Sequence, residues 1–308
     1  MTKKPMKWAL FLAAVLLLLL AATLSRLEIP DSATPVLAGG SKQMSGDCAE
    51  SRLDLDEKSD KKTSHSDTYI DDAGTIPVLV WNIHKQGDGE WPQALWSWGE
   101  GWRLMMLQEV GLTDAFSSAL GRGGYDYAAL QSFAFAGQGY GLMTLSPALV
   151  STACGYLSRE PWIVVPKGSL VARYRLSSGD NLLAINLHGV NFAWSLEDWQ
   201  AQLEPLFKAV AAHQGPVIFG GDFNAWGEDR REMLKNLVDS HGLASAAFSP
   251  DHRRSAFGNR LDWLFYRGLN LKSAQSPATE LSDHAPLLAW FELMPGSVPD
   301  DGTPDARQ

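Results

Sequence analysis

The stretch 217–225, Val-Ile-Phe-Gly-Gly-Asp-Phe-Asn-Ala, constrains the fold of this chain more than any other. It begins as an apolar run typical of a buried strand and ends in polar residues. Because side chains alternate across a strand, Asp222 and Asn224 share one face. Gly220 and Gly221 lack side-chain bulk, and we expect them to let a ligand approach the backbone closely. Alone, an Asp-x-Asn sequence at a strand end is more typical of a turn than of a catalytic site.

Other apolar runs along the chain also carry polar residues at one end. These residues are Asn82, Glu109, His188, Asp262, Asp283 and His284. The first three follow their runs, whereas the last three open or precede theirs. If the earlier strands run one way in a sheet and the later ones run back, all of these side chains gather at one edge. Open α/β folds bind their ligands at such an edge, so the sequence predicts a functional site there.

The alternation of strand-like and helical segments predicts an α/β fold with mixed sheets. Strand-like runs lie at 76–82, 104–109, 125–133, 140–145, 153–157, 162–174, 182–188, 217–219, 262–266 and 286–291, and helical patterns at 112–120, 195–213 and 228–239. Trp91, Leu95, Trp98 and Trp102 recur at helical spacing. A ligand-stacking platform is one interpretation of this stripe, but a helix face turned toward the core is favoured.

The N-terminus has the layout of an export signal. Lys3, Lys4 and Lys7 precede residues 8–24, which are seventeen positions without a charge. This pattern predicts a signal peptide or an uncleaved membrane anchor, and we favour the anchor because no small-residue cleavage site follows closely. The lysines place the rest of the chain outside the cytoplasm: on the periplasmic side of the inner membrane in a Gram-negative cell, or secreted if the N-terminus is cleaved.

Composition divides the chain into four parts. Residues 1–27 form the signal anchor or signal peptide, and 28–74, rich in Ser, Asp, Lys and Gly, is predicted to be a disordered linker. Residues 75–294 are long enough for one domain with a sizeable core. The tail 295–308 has a disordered composition. The chain is expected to be a monomer.

Charge and cysteine content narrow the functional classes. Residues 75–294 hold sixteen Lys and Arg against twenty-one Asp and Glu, a net charge of −5. An acidic domain is poorly suited to tracking long nucleic acid, so nucleic acid is a less favoured partner than a small or membrane-borne phosphate ester. Cys48 and Cys154 are the two cysteines, and their separation into linker and domain predicts no structural disulfide framework.

Gly-Asp-Phe-Asn at 221–224 and Ser-Asp-His-Ala-Pro at 282–286, with the polar residues above in this order, carry a family resemblance. Over 75–294 the chain resembles the endonuclease/exonuclease/phosphatase superfamily of metal-dependent phosphoesterases. Three further pieces, at 80–86, 186–192 and 265–269, look like a little-characterised bacterial subfamily. The resemblance implies a four-layer sandwich, in which two mixed β-sheets lie face to face and are flanked by helices.

The resemblance also implies a metal site. Glu109 would bind Mg²⁺, or Mn²⁺ as an alternative, with Asn82 assisting and Asp283 nearby. Oxygen ligands of this kind suit a hard divalent cation. His84 departs from the apurinic-endonuclease branch, where an acidic residue helps to bind the metal two positions after the asparagine. The metal shell and specificity of that branch therefore do not transfer simply.

The remaining polar residues receive catalytic roles from the same resemblance. Asp222 would deprotonate the attacking water, and Asn224 would hold a non-bridging phosphate oxygen. His284, oriented by Asp262, would contact the phosphate, and His188 would assist the leaving group. Arg253, Arg254 and Arg260 are candidates for a phosphate clamp, although exposed loop arginines are as often simply solvated. The expected activity is that of a phosphodiesterase; a nuclease, or a membrane-anchored binding domain without turnover, is the alternative.

Overall fold

The computed structural model describes residues 4–38, 68–86, 93–161, 163, 165–192 and 195–294. Its helices are α1 (Lys4–Leu24), α2 (Gln93–Trp96), α3 (Asp114–Arg122), α4 (Leu196–Ala212) and α5 (Glu228–Ser240). Its strands are β1 (Leu27–Glu28), β2 (Val36–Leu37), β3 (Thr75–Asn82), β4 (Leu104–Leu112), β5 (Asp126–Phe135), β6 (Gln138–Ser146), β7 (Thr152–Ser158), β8 (Lys167–Arg175), β9 (Asn181–His188), β10 (Val217–Asp222), β11 (Ala244–Ser245), β12 (Ser255–Ala256), β13 (Asn259–Arg260), β14 (Asp262–Arg267), β15 (Leu269–Gln275) and β16 (Leu287–Leu293).

Two mixed sheets form the centre of the molecule. The first has the order β1-β5-β6-β4-β3-β16-β15, with β2 also on β5, and the second has the order β11-β14-β10-β9-β8-β7. One apolar cluster, including Val80, Met106 and Leu264, fills the space between the sheets. A second joins α4 and α5 to the outer face of the second sheet, and a third covers the outer face of the first. The predicted four-layer α/β sandwich is confirmed.

Strand direction brings the polar strand ends together. In the first sheet β3 and β4 are parallel and β16 runs antiparallel to β3; in the second, β9 and β10 are parallel and β14 runs antiparallel to β10. Asp222 pairs in register with His188 on one side and with Asp262 on the other. The polar ends of the forward strands therefore meet the starts of the returning strands, as the sequence predicted.

The two glycines before Asp222 serve packing rather than a ligand, so that expectation was wrong. A Cβ on Gly220 would lie 3.0 Å from Val80 and 3.1 Å from Leu264 and from Met106, in the core between the sheets. Gly221 has φ +144°, and a Cβ there would lie 2.0 Å from the Leu187 carbonyl oxygen of the neighbouring strand. The pair therefore lets β10 lie close to both its neighbouring strand and the opposite sheet.

Both ends of the predicted linker 28–74 belong to the fold. Strands β1 and β2 pair with β5, and Ile70 and Asp71 are buried. The Asp71 carboxylate accepts hydrogen bonds from the backbone and hydroxyl of Ser177 at 2.8 and 2.6 Å. The composition predicted disorder because it contains few apolar residues, yet short strand pairings and one buried carboxylate are enough to fix these ends. Residues 39–67 and the predicted tail 295–308 lie outside the described residues.

Other local predictions differ from the structure in extent. Leu95 and Trp102 are buried in the core, as favoured, but the helix covers only Gln93–Trp96, and Trp91 lies outside the described residues. The strand predicted at 162–174 begins only at Lys167, and β15 was not predicted. Within the described part of the chain, no helix is long and apolar enough to cross a membrane, so the membrane anchor predicted at 8–24 is not supported.

Cys154 on β7 is disulfide-bonded, which corrects the prediction that the cysteines form no structural bridge. The other cysteine of the sequence, Cys48, lies outside the described residues. The error arose because distance along the chain says nothing about distance in space. A bridge between distant chain positions restricts the unfolded chain and thereby stabilises the folded one.

This bridge predicts a redox-dependent stability. A reductant should lower the free energy of unfolding of the wild type by about 2–4 kcal/mol. Cys154→Ala should be insensitive to the reductant, because it removes the bond beforehand. Thermal melts of both proteins with and without dithiothreitol measure the difference. A wild-type melting temperature that does not change on full reduction would contradict a stabilising bridge.

Candidate active site

Six polar residues at the shared sheet edge are buried: Asn82, His188, Asp222, Asn224, Asp262 and His284. Asp222 lies at their centre. One of its carboxylate oxygens, Oδ2, lies 3.3 Å from Asn82 Nδ2, 3.7 Å from His188 Nε2 and 3.9 Å from His284 Nε2. The backbone N–H of Asn224 donates to the other oxygen at 3.0 Å. The structure thus brings together side chains from both sheets around one carboxylate.

The pKa of Asp222 lies in the range that suits a general base near neutral pH. Burial raises it, His284 lowers it and Asp262 raises it again, and the result is about 6. Asn224 closes the strand end in a left-handed conformation, φ +50°, which asparagine tolerates well. Its Nδ2 donates to the Gly189 carbonyl at 2.9 Å and lies 3.3 Å from Asp222.

His284 is held by Asp262 on the opposite side from Asp222. Its Nδ1 lies 2.9 and 2.8 Å from the two carboxylate oxygens of Asp262. Burial alone would lower the pKa of His284, but Asp262 and Asp222 raise it to about 9. The ring therefore carries a positive charge at neutral pH, with Nε2 turned toward Asp222. This arrangement suits an electrostatic contact to an anion rather than a proton acceptor.

Glu109 sits on a β-bulge. The pairing of β4 with β6 shifts register between Leu107 and Val110, and Glu109 has φ +52°, a strained conformation for this residue. Its carboxylate forms an ion pair with Lys85 and lies 3.5 Å from His188 Nε2 and 3.9 Å from Lys167 Nζ. Burial alone would raise its pKa, but the neighbouring ammonium groups of Lys167 and Lys85 hold it far below its usual range.

Asn186 fixes this bulge from the other sheet. Its Nδ2 lies 3.1 Å from the carbonyl oxygens of both Leu107 and Met143 and 3.3 Å from Thr144 Oγ1, while its Oδ1 accepts from Gln108 Nε2 at 2.7 Å. These carbonyls lie where the bulge interrupts the ladder. The sequence analysis did not identify Asn186, although the strand alternation that places it on the same face as His188 was available.

Lys167, at the start of β8, is the second residue that was missed. Its Nζ lies 2.6 Å from His188 Nε2. Burial lowers the pKa of Lys167 while Glu109 and Asp222 raise it, and burial together with Lys167 holds the pKa of His188 well below its ordinary value. His188 is therefore neutral, and its Nε2 accepts a hydrogen bond from the Lys167 ammonium. No motif in the sequence indicated this lysine, because its place in the site depends on the pairing of β8 with β9.

Two groups of predicted residues do not join the site. Asp283 is exposed and pairs with Arg254, although it was expected near the metal. Arg253 binds the Asp251 carboxylate through Nε and Nη2, and Arg260 donates to the Arg253 carbonyl oxygen. These two guanidinium groups hold the 251–262 loop together rather than forming a phosphate clamp. Of the three arginines, only Arg254 lines a cavity that reaches Asn224.

The donor types in this site fit a divalent metal ion. Asp222, Asp262 and His284 offer ligand atoms that all lie within 4.8 Å of one another, so this buried group could bind an ion. His284 is a poor ligand while it is protonated, however. Glu109 and Asn82 add a carboxylate and an amide oxygen, which a hard cation prefers. Glu109 is already ionised, and a metal ion would compete with Lys85 and Lys167 for its carboxylate.

Comparison with known proteins identifies a family match and similar relatives. Residues 79–284 match the model of the Endonuclease/Exonuclease/phosphatase family. A relative from Vibrio campbellii, the "UPF0294 protein", is 40% identical over 225 residues, which is 73% of this chain and 80% of the relative.

Two solved structures show the same fold. The human Nocturnin catalytic domain with bound sulfate anion aligns with a TM-score of 0.56 and 19% identity over 72% of this chain and 95% of its own. The 3′ phosphatase NExo from Neisseria, bound to a product DNA hairpin, aligns with a TM-score of 0.51 and 18% identity over 70% and 98%. At this identity the likeness concerns the fold alone.

The raised pKa of Asp222 predicts a pH-dependent stability. The pKa of Asp222 rises from its ordinary value of 3.8 to about 6 on folding, so the protonated carboxyl stabilises the fold at low pH. This contribution is fully present below pH 3.8 and is lost as the pH rises to about 6. The shift corresponds to about 3 kcal/mol at most. In chelator, Asp222→Asn should therefore gain stability relative to wild type between pH 4 and 6 by up to that amount.

Urea unfolding at both pH values measures this difference. The exposed Asp114→Asn is the matched control and should show no comparable change with pH. A stability difference between Asp222→Asn and wild type that stays constant over this interval would mean that Asp222 titrates normally.

Proposed function

This chain belongs to the endonuclease/exonuclease/phosphatase family, and from that membership we propose that it is a metal-dependent phosphodiesterase. The observation that carries the proposal is the buried Asp222 carboxylate, which lies 3.9 Å from Nε2 of a histidine, His284, whose other nitrogen is held by Asp262. A base and an anion-binding group thus face one another at the edge between the sheets. Both functions accelerate the hydrolysis of a phosphate ester.

Glu109 and Asn82 are the residues that we propose to hold Mg²⁺ or Mn²⁺, with Asp222 and Asp262 close by. Such an ion, when bound, would polarise a phosphoryl oxygen and offset charge on the leaving group. Lys85, whose side chain is 45% exposed, pairs with Glu109 and is free to move toward solvent when the carboxylate takes another cation. The bulge that holds Glu109 is fixed by Asn186, so the carboxylate is positioned before any ion binds.

Proton transfer and charge stabilisation are carried out by different side chains of the site. Asp222 takes the proton of the attacking water. The Asn224 amide gives up its 3.3 Å contact to Asp222 and donates that N–H to a non-bridging oxygen. His284 places its charge against the phosphate while Asp262 holds its ring. On the far side of Asp222, Lys167 and His188 lie in contact and offer positive charge and a polar nitrogen to the leaving oxygen.

Two cavities beside these groups favour a diester over a monoester. One, of about 240 Å³, is lined by Glu109, Lys167 and His188, and the other, of about 500 Å³, by Asn224. Phe192 borders both. A phosphodiester carries two organic groups, and each cavity has room for one. A nuclease acting on long duplex is less favoured, because Arg253 and Arg260 are engaged within their own loop.

We also propose that the domain works outside the cytoplasm. Lys3, Lys4 and Lys7 ahead of the charge-free run 8–24 support export. The disulfide at Cys154 supports it independently, since such bonds persist in oxidising compartments.

Activity is tested by hydrolysis of bis(4-nitrophenyl) phosphate. Turnover should disappear with chelator and return with Mg²⁺ or Mn²⁺, and Asp222→Asn should lower the rate at least about a hundredfold. The exposed Asp229→Asn is the matched control and should keep the wild-type rate. Glu109→Gln should need more metal for the same rate. Unchanged turnover in Asp222→Asn would exclude Asp222 as the base.

Location is tested in a Gram-negative host. Protease added to spheroplasts should digest the full chain while a cytoplasmic marker survives. A chain lacking residues 1–27 should be protected, because it has lost the predicted signal. Protection of the full chain until the cells are lysed would place the domain in the cytoplasm.

A further inference from the structure

We propose that the larger cavity, beside Asn224, is a subsite for an aromatic ring in one ester group of the substrate. The proposal rests on the proposed phosphodiesterase function and names the chemistry of one substituent. The cavity measures about 500 Å³ and is lined mainly by Phe192, Trp226, Phe257 and Leu261, with Asn191 and Arg254 at polar positions. A volume of this size accommodates a small organic ligand.

Trp226 is a rigid wall of this cavity. Its Nε1 lies 3.2 Å from the Asn191 carbonyl oxygen and 3.0 Å from Asn191 Oδ1, and its own carbonyl accepts from Asn259 Nδ2 at 2.7 Å. The Arg230 guanidinium lies 4.7 Å from the Trp226 ring centroid. These contacts fix the indole before any ligand binds. A ring that packs against Trp226 therefore binds without the entropic cost of ordering that side chain.

Phe257 forms the second wall and is unusually exposed. It lies in the turn between β12 and β13, and 88% of it is accessible to solvent. Phe257 and Gly258 have φ +51° and +83°, a two-residue turn that favours asparagine or aspartate before glycine. Phenylalanine is unfavourable there, both for its backbone and for its exposed ring. A residue that opposes its local preferences in this way points to a function at the turn.

Trp226 and Phe257 are in contact with each other and together form one aromatic wall, on which a further ring can pack. The centroids of Trp226 and Phe257 are 5.8 Å apart with 59° between the planes, and Phe192, 51% exposed, lies at the boundary with the smaller cavity. Aromatic rings prefer edge-to-face and offset arrangements of this kind. Among the described residues that line the cavity, Arg254 is the only charged one, and it pairs with Asp283. The subsite is therefore suited to a neutral ring rather than to a second phosphate.

Binding of three symmetrical diesters tests the proposal: diphenyl, dimethyl and dihexyl phosphate, titrated by calorimetry into the full chain carrying Asp222→Asn. Diphenyl phosphate should bind most tightly. Adding Phe257→Ala should weaken its affinity about three- to tenfold and leave that of dimethyl phosphate unchanged. Phe257→Leu, which keeps apolar area without a ring, should lose most of the same affinity. Leu149→Ala, a 40% exposed apolar residue away from this cavity, is the matched control and should change nothing.

Equal affinity for the three diesters, or a Phe257→Ala variant that binds diphenyl phosphate as well as its parent, would overturn the subsite. The subsite would also be overturned if dihexyl phosphate bound as tightly as diphenyl phosphate and Phe257→Leu fully restored binding, since the cavity would then select apolar area rather than a ring.

Failure of the proposed function can be distinguished from failure of the subsite. Selective loss of diphenyl phosphate binding in a protein that hydrolyses no diester would retain the subsite and remove the phosphodiesterase.

Discussion

The carboxylate of Asp222, buried between two sheets, is the interaction on which the rest of the site depends. A buried charge is costly unless it is compensated, and each neighbour of Asp222 compensates it in a different way. Asn224 donates a backbone hydrogen bond, Asn82 approaches with its amide, and His284 supplies a positive charge. Asp262 stabilises that charge in turn. The result is a carboxylate whose pKa stays near neutral instead of rising further.

The fold meets this requirement by joining the two sheets with polar bonds at one edge and with apolar packing elsewhere. Asn186 reaches from β9 to the interrupted ladder of β4 and β6, where its amide donates to the carbonyl oxygens of Leu107 and Met143. These bonds satisfy backbone groups that the bulge at Glu109 leaves without ladder partners. The strained backbone of Glu109 persists because bonds from the second sheet determine its position. The contacts that pack the two sheets together therefore also set the geometry of the site.

The sequence predicted the layers and most of the polar edge because both follow from alternation and strand direction. Asp222 and Asn224 were found since a period of two and a strand end suffice to place them. Lys167 was missed because its role depends on β8 lying beside β9, which no local pattern reveals. Arg253 was misjudged for a different reason. Its positive charge suggested that it binds phosphate, but its guanidinium pairs with the carboxylate of Asp251, two residues away. The disulfide at Cys154 likewise depends on tertiary proximity. Features encoded by local periodicity, such as the strand ends, were predictable from the sequence. Features that depend on which segments become neighbours in the fold, such as the Lys167 contact and the disulfide, were not.

Charge in this domain acts at short range. The domain is acidic overall, yet Lys85, Lys167 and His284 converge on the edge where Glu109 and Asp222 lie. At physiological salt, exposed charges farther apart than about 8 Å are largely screened, whereas partly buried groups are screened much less. An anion is thus attracted mainly once it has entered the edge, and the acidic surface contributes little to drawing in a long polyanion. Selectivity must then come from what surrounds the phosphate, and the walls of the larger cavity are mainly aromatic and apolar.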